Sequence, residues 1–144
     1  SHVIPSLMMK IHNAKESGSR QVSLWGNGSP LREFLYVDDM ASACLQILFA
    51  PKSVWQDIKP HGHSFINVGS GQNVSIAELA DLIREVVGFK GEVKFDVNEL
   101  NGVNSKLLKS ERIRRFGWKD EVQLIDGLVM TYQDYLSNVK KSKK

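Results

Sequence analysis

A mixed α/β fold, α+β-like in how few its strands are, is what this sequence predicts, on three observations. Short apolar runs of strand character alternate with segments of helical period along the chain. Glycine, proline or a capping residue marks most of the changeovers. The 144 residues, 42% hydrophobic and 24% charged, have the composition of one globular domain of ordinary size. The strands are few and short for an independent sheet of this length, which implies that some of them extend a sheet whose other strands lie outside this chain.

The elements follow in order. Pro5 suits the first turn of a helix, Ile4, Leu7, Met8, Ile11 and Ala14 recur at helical spacing, and Gly18 stops them. Val22 to Trp25 is a short strand, broken by the turn Gly26-Asn27-Gly28-Ser29-Pro30. Phe34 to Val37 reads as a second strand, after which Asp38 is placed to N-cap a helix through Met40, Ala43, Cys44, Ile47 and Leu48, ended by Pro51. Lys52 to Ser64 has weak periodicity and reads as a loop with helical character around Val54 to Ile58. Phe65 to Val68 is an apolar strand closed by Gly69-Ser70-Gly71. Ser75-Ile76-Ala77-Glu78 is a capping box, opening a helix with Leu79, Ala80, Ile83, Val86 and Val87 on one side and Gly88 at its end. Glu92 to Phe95 is a further strand, and Asp96 to Lys106 is irregular and polar. Ser110 is expected to cap a short helix that stops before Gly117-Trp118. A last helix carries Leu124, Ile125, Leu128, Val129, Tyr132, Tyr135 and Leu136 on one broad face.

Composition excludes several functions. The net charge of +3 owes four of its 19 basic residues to Lys140, Lys141, Lys143 and Lys144, so residues 1–139 carry 15 basic against 16 acidic groups. The basicity is a solvated tail, residues 140–144, and gives no ground for a nucleic-acid surface. No apolar run reaches the ~18–20 residues of a membrane span. The lone Cys44 excludes a disulfide framework and suits a reducing cytoplasm; its helical position reads as a small buried hydrophobe. His2, His12, His61 and His63 form no spaced ligand set, and His61-Gly62-His63 reads as a tolerant surface loop rather than a metal site. Gly69-Ser70-Gly71 follows an apolar run but lacks the third glycine of a dinucleotide fingerprint.

Four residues carry chemistry if their surroundings allow it. Arg32, between a glycine-rich turn and an apolar strand, suits either a surface ion pair or a bidentate grip on phosphate. Trp25 suits either stacking on a ring or the core. Lys106 lies in a polar loop. His2 precedes a helix start, and histidine is the side chain that trades protons near neutral pH, so it reads as a general acid or as a mobile terminal residue.

Taken together, the segments resemble a known family. Trp25-Gly26-Asn27-Gly28-Ser29-Pro30-Leu31-Arg32-Glu33-Phe34-Leu35-Tyr36-Val37-Asp38-Asp39-Met40 is similar to the R-x-F-x-(Y/H)-V-x-D stretch of extended short-chain dehydrogenase/reductases acting on nucleotide sugars. Asn67-Val68-Gly69-Ser70-Gly71 with Ser75-Ile76-Ala77-Glu78-Leu79-Ala80 matches the same superfamily's N-x-G-(S/T)-G and S-I-x-E-L patterns. Ser1-His2-Val3-Ile4-Pro5, the tryptophan-containing W-G-x-G-x-P-x-R-E-F form, and Lys106-Leu107-Leu108 before Phe116-Gly117-Trp118 narrow the resemblance to the GDP-L-fucose synthases, the GDP-4-keto-6-deoxymannose 3,5-epimerase-4-reductases of the NAD-dependent epimerase/dehydratase family.

The resemblance implies that this chain is the C-terminal, substrate-binding part of such a protein, with residues 1–139 as one domain and residues 34–71 partly packing on a Rossmann domain. Phe65 to Val68 would then belong to that domain's sheet. The start at Ser1 reads as cut from a longer chain. The family's cofactor loop, Tyr-x-x-x-Lys pair and catalytic cysteine would all precede it, leaving this piece inactive alone and prone to associate through a strand edge and an apolar helix face. The implied enzyme is cytoplasmic and homodimeric, acts on a GDP-sugar, and uses NADP(H) held mainly outside this chain. Carried over by position, His2 is the acid of epimerisation and lies near the nicotinamide. Lys10, Trp25, Arg32, Asn101 and Lys106 are substrate contacts, with Arg32 the diphosphate clamp. The family's aspartate-glycine pair is Asn101-Gly102 here, which keeps a carbonyl acceptor and loses a charge. Two alternatives stay open: another nucleotide-sugar epimerase or dehydratase of the superfamily, and a non-catalytic nucleotide-sugar binding module.

Overall fold

A computed structural model describes residues 2–58, 65–97 and 105–142. Among them it has six helices and five short strands, the mixed α/β class expected, in two compact units.

The first unit comprises residues 1–31, 74–105 and 125–144. Helix α1 (Val3–Glu16) buries Leu7, Met8 and Ile11, and strand β1 (Gln21–Trp25) turns only Leu24 fully inward, as a half-buried strand should. Strand β1 pairs in parallel with β4 (Glu92–Asp96), Val22 opposite Val93 and Leu24 opposite Phe95. Helix α4 (Ile76–Val87) packs against α1 through Leu79, Ala80, Ile83 and Val87. The expected capping box is present: the Ser75 amide donates to the Glu78 carboxylate at 2.9 Å, and the Glu78 amide donates to Ser75 Oγ at 3.1 Å. At the other end Gly88 takes a left-handed φ of 71°, and the Lys15 ammonium donates to the Val87 carbonyl at 2.7 Å.

The turn 26–30 does more than reverse the chain. Gly28 sits at φ +74° with the Phe95 ring and Ala77 Cβ about where a side chain of its own would stand, and its carbonyl accepts from the Ala77 amide at 2.9 Å. The Pro30 carbonyl accepts from the Ile76 amide at 3.0 Å, so two first-turn donors of α4 are satisfied by this turn. Helix α6 (Leu124–Ser142) contributes Leu128 and Tyr132 to the core of the same unit, and its helical backbone continues into the lysine-rich end of the chain.

The second unit, residues 32–73 and 106–124, is built on α2 (Val37–Leu48), α3 (Lys52–Ile58) and α5 (Glu111–Arg115). Ala43, Ile113, Phe116 and Trp118 form its core, with Leu35, Ile47, Trp55, Ile66 and Val68 packed around them. Trp118 donates through Nε1 to Ser42 Oγ at 2.9 Å, and Gln46 donates to the Phe116 carbonyl at 2.6 Å. Strand β2 (Leu31–Glu33) lies between β3 (Asn73–Ser75) and β5 (Ser105–Lys106) in a second small sheet.

Five local expectations are corrected. The strand after the glycine-rich turn is Leu31–Glu33, not Phe34 to Val37, because Leu35 leaves the sheet for the core and Val37 already begins α2. Tyr36, not Asp38, is the N-cap residue of α2, with extended backbone and no side-chain cap bond. Phe65 to Val68 is not a strand among the described residues: Ile66 and Val68 face the core and Phe65 is 61% exposed, an alternation without a paired neighbour. Cys44 is exposed rather than buried, on the outer side of α2. Ser110 precedes α5 as expected, but its buried hydroxyl makes no cap bond. His61 and His63 lie outside the described residues, and among those residues no group of three His, Cys, Asp or Glu could hold a metal ion. No helix among them is long and apolar enough to cross a membrane.

Candidate functional site

In the first unit, His2 is the N-cap residue of α1, exposed, with extended backbone at φ −73° and ψ 153° and no cap bond from its own side chain. Two turns along, Lys10 is half-buried and holds its ammonium 4.9 Å from the ring centroid of Trp25. Trp25 is 72% exposed at the end of β1, because strand alternation turns Leu24 inward and Trp25 out. Two of the expected substrate residues are therefore in contact, as a cation on an aromatic face.

In the second unit, Arg32 is half-buried in β2 and already has an interaction partner, and Lys106 is exposed in the neighbouring strand β5. Asn101 lies outside the described residues.

Three groups escaped the sequence reading. Glu33, beside Arg32, accepts the Gly71 amide at 2.6 Å on one carboxylate oxygen and the Leu108 amide at 2.9 Å on the other. Asp39 is buried and accepts the amides of Glu121 and Val122 at 3.1 and 3.0 Å, fastening the segment before α6 to the first turn of α2. Both lie inside the motif that carried the resemblance, where the sequence reading assigned chemistry to Trp25 and Arg32 and gave neither carboxylate a role. His12, 8% exposed in α1, hydrogen-bonds through Nδ1 to the Tyr132 hydroxyl at 3.0 Å, with the Tyr135 ring edge-on to it at 5.2 Å. Burial, aided by Glu16 and Tyr135, pushes the Tyr132 hydroxyl above its ordinary value of 10.0. The spacing of His12 on the apolar stripe of α1 was the available signal.

The glycine turn 69–71 bears on cofactor binding. A pyrophosphate cradle needs backbone N–H groups presented to an anion. Here the Gly71 amide is given to the Glu33 carboxylate, which also fills the space beside Gly69 where a Cβ would stand. An anion already occupies this turn, and it does not fit a dinucleotide.

Comparison with known proteins agrees with the fold and the motifs. Residues 1–69 match the NAD dependent epimerase/dehydratase family. Along its length the chain is homologous to GDP-L-fucose synthases: it is 46% identical over 139 residues to GDP-L-fucose synthase 1 of Arabidopsis thaliana, and 44% over 138 residues to the GDP-L-fucose synthase of Escherichia coli strain K12. Each alignment covers 96% of this chain but only 40% and 43% of the relative. The chain thus spans about two fifths of the length of the curated relatives it matches. A solved GDP-L-fucose synthetase of Naegleria fowleri bound to NADP superposes with a TM-score of 0.80 at 25% identity, over all of this chain and 43% of that one.

Proposed function

We propose that this chain is the GDP-sugar-binding portion of an enzyme that converts GDP-4-keto-6-deoxymannose to GDP-L-fucose, by epimerisation at C3 and C5 and reduction at C4 with NADPH. The similarity to GDP-L-fucose synthases along the whole chain supports it. The structural observation that carries it is Trp25, a large aromatic left in water with the Lys10 ammonium over its ring. Strand alternation turns this ring outward, and an aromatic face beside a cation suits a ring-bearing, phosphorylated ligand.

In this reading Arg32 grips the diphosphate through the planar fork of its guanidinium, and Lys106, on the neighbouring strand, adds a second positive charge. Lys10 and Trp25 hold the ligand's other parts, and Asn101 replaces a charged acceptor with a neutral one toward the nucleotide side. His2 donates a proton to the enolate formed during epimerisation, from the start of a helix where a proton donor stands clear of the core. NADPH supplies the hydride in the complete enzyme. His2 is the residue of this chain proposed to approach it, and the turn 69–71, already holding the Glu33 carboxylate, does not fit it. We take the complete enzyme to be a cytoplasmic homodimer.

Calorimetric titration of the chain with GDP tests the reading. Arg32→Ala should weaken binding about 10- to 100-fold, the worth of charge-assisted hydrogen bonds, and Arg32→Lys should not restore it. An Arg32→Ala variant that binds GDP as tightly as the wild type would remove the clamp from the account. The neutral Asn101-Gly102 pair favours one second reading, a superfamily enzyme for a different nucleotide sugar, for which UDP or dTDP would bind more tightly than GDP.

A further inference from the structure

We infer that Glu33 is a positioning residue for the nucleotide-sugar site: its carboxylate ties the Gly69–Gly71 turn and the segment after β5 to β2, and so sets where Arg32 and Lys106 stand. The inference rests on the proposed function of those two cations. Glu33 spans long distances in sequence, accepting from Gly71, 38 residues on, and from Leu108, 75 residues on. Each carboxylate oxygen takes one backbone N–H, so neither segment can shift without breaking a charge-assisted bond.

Strand geometry separates the roles of adjacent residues. Successive side chains of β2 point to opposite faces, so the face that carries Glu33 receives the two loops while Arg32 lies on the other. Leu108 is two residues beyond Lys106, and holding its amide fixes the backbone from which the Lys106 side chain departs. Gly69 shows how closely this cluster is fitted. Its φ is not in the left-handed region, so conformation does not demand glycine there; a Cβ would collide with the Glu33 carboxylate. Glycine is required by the space the carboxylate occupies.

Two independent perturbations reach the same bond. Glu33→Ala removes the carboxylate, and Gly69→Ala keeps it but pushes it aside. Glu33→Gln retains the shape and one acceptor oxygen, presenting an NH2 group to the other amide. GDP affinity should be measured by calorimetry at a temperature well below each variant's unfolding transition, with amide hydrogen exchange at Gly71 and Leu108 followed in parallel. We expect Glu33→Ala and Gly69→Ala each to weaken GDP binding roughly tenfold, in line with the loss of groups that orient a ligand-contacting residue. Glu33→Gln should fall between them and the wild type, and the double variant should lose no more than the worse single one. Simple destabilisation would lower melting temperature while leaving the folded population's affinity unchanged. Wild-type binding of GDP with undiminished affinity in Glu33→Ala, both amides now exchanging freely, would overturn the inference and leave the proposed function standing. A wild-type chain that binds no GDP would overturn the proposed function and this inference with it.

Discussion

Arg32, Lys10 and Trp25 could be picked out from residue type and motif position, but what each touches could not. A tryptophan before a glycine-rich turn is equally at home in a core, and only strand register, with Leu24 inward, settles that Trp25 faces water. The proposed function predicts that, in the complete enzyme, His2→Asn lowers epimerisation by about 10²- to 10⁴-fold, the usual worth of a general acid, and leaves GDP affinity unchanged. Steady-state rates beside a binding isotherm check this, and lost affinity would assign His2 to binding instead. Tyr132 offers a test independent of ligand. Tyr132→Phe leaves the buried Nδ1 of His12 without its partner and should cost about 1–2 kcal/mol in urea unfolding. Because the folded hydroxyl ionises above 10.0, the unfolded chain loses its proton first as pH rises. Its contribution is therefore full below about pH 10 and is lost above it, and Tyr132→Phe should flatten that part of the profile.

At the scale of elements, helices were the more legible, since their caps and periods are local. The Ser75–Glu78 box and Gly88 mark α4 at both ends in sequence and in structure. Ser75→Ala should cost about 1 kcal/mol by thermal unfolding. The hydrogen bonds from Ser75 hold the Glu78 carboxyl below its ordinary 4.5, so the unfolded chain takes up that proton first as pH falls. The stabilisation is present above about pH 4.5 and lost below it. Glu78→Gln should differ from the wild type at pH 7 and converge on it as the pH is lowered through the range in which the folded carboxyl takes up its proton. Strands were less legible because pairing decides them. Phe65 to Val68 has the alternation of a strand and buries Ile66 and Val68, yet has no paired strand among the described residues. Phe34 to Val37 has the residue preferences of a strand, but the core claims Leu35 and α2 claims Val37. The role of the turn 26–30 was hidden for the same reason: its carbonyls serve a helix nearly fifty residues away. Gly28→Ala, strained at φ +74° and crowded by Phe95 and Ala77, should cost about 2–4 kcal/mol.

At the scale of the whole molecule, the motifs identified the relatives, and identity of 44–46% along the chain agrees with them. What residue patterns could not reveal is how acidic side chains organise the second unit. Glu33 and Asp39 each join segments more than 35 residues apart by accepting two backbone amides, and nothing local marks such a carboxylate. Nucleotide choice belongs to this scale as well, because Asn101 alters the one position expected to read the nucleotide side. Titration of the chain with GDP, UDP and dTDP under one set of conditions is therefore the most direct test. The proposed function predicts that GDP binds most tightly and that Arg32→Ala weakens the binding of all three about 10- to 100-fold. Equal affinity for all three, or preference for UDP or dTDP, would contradict it.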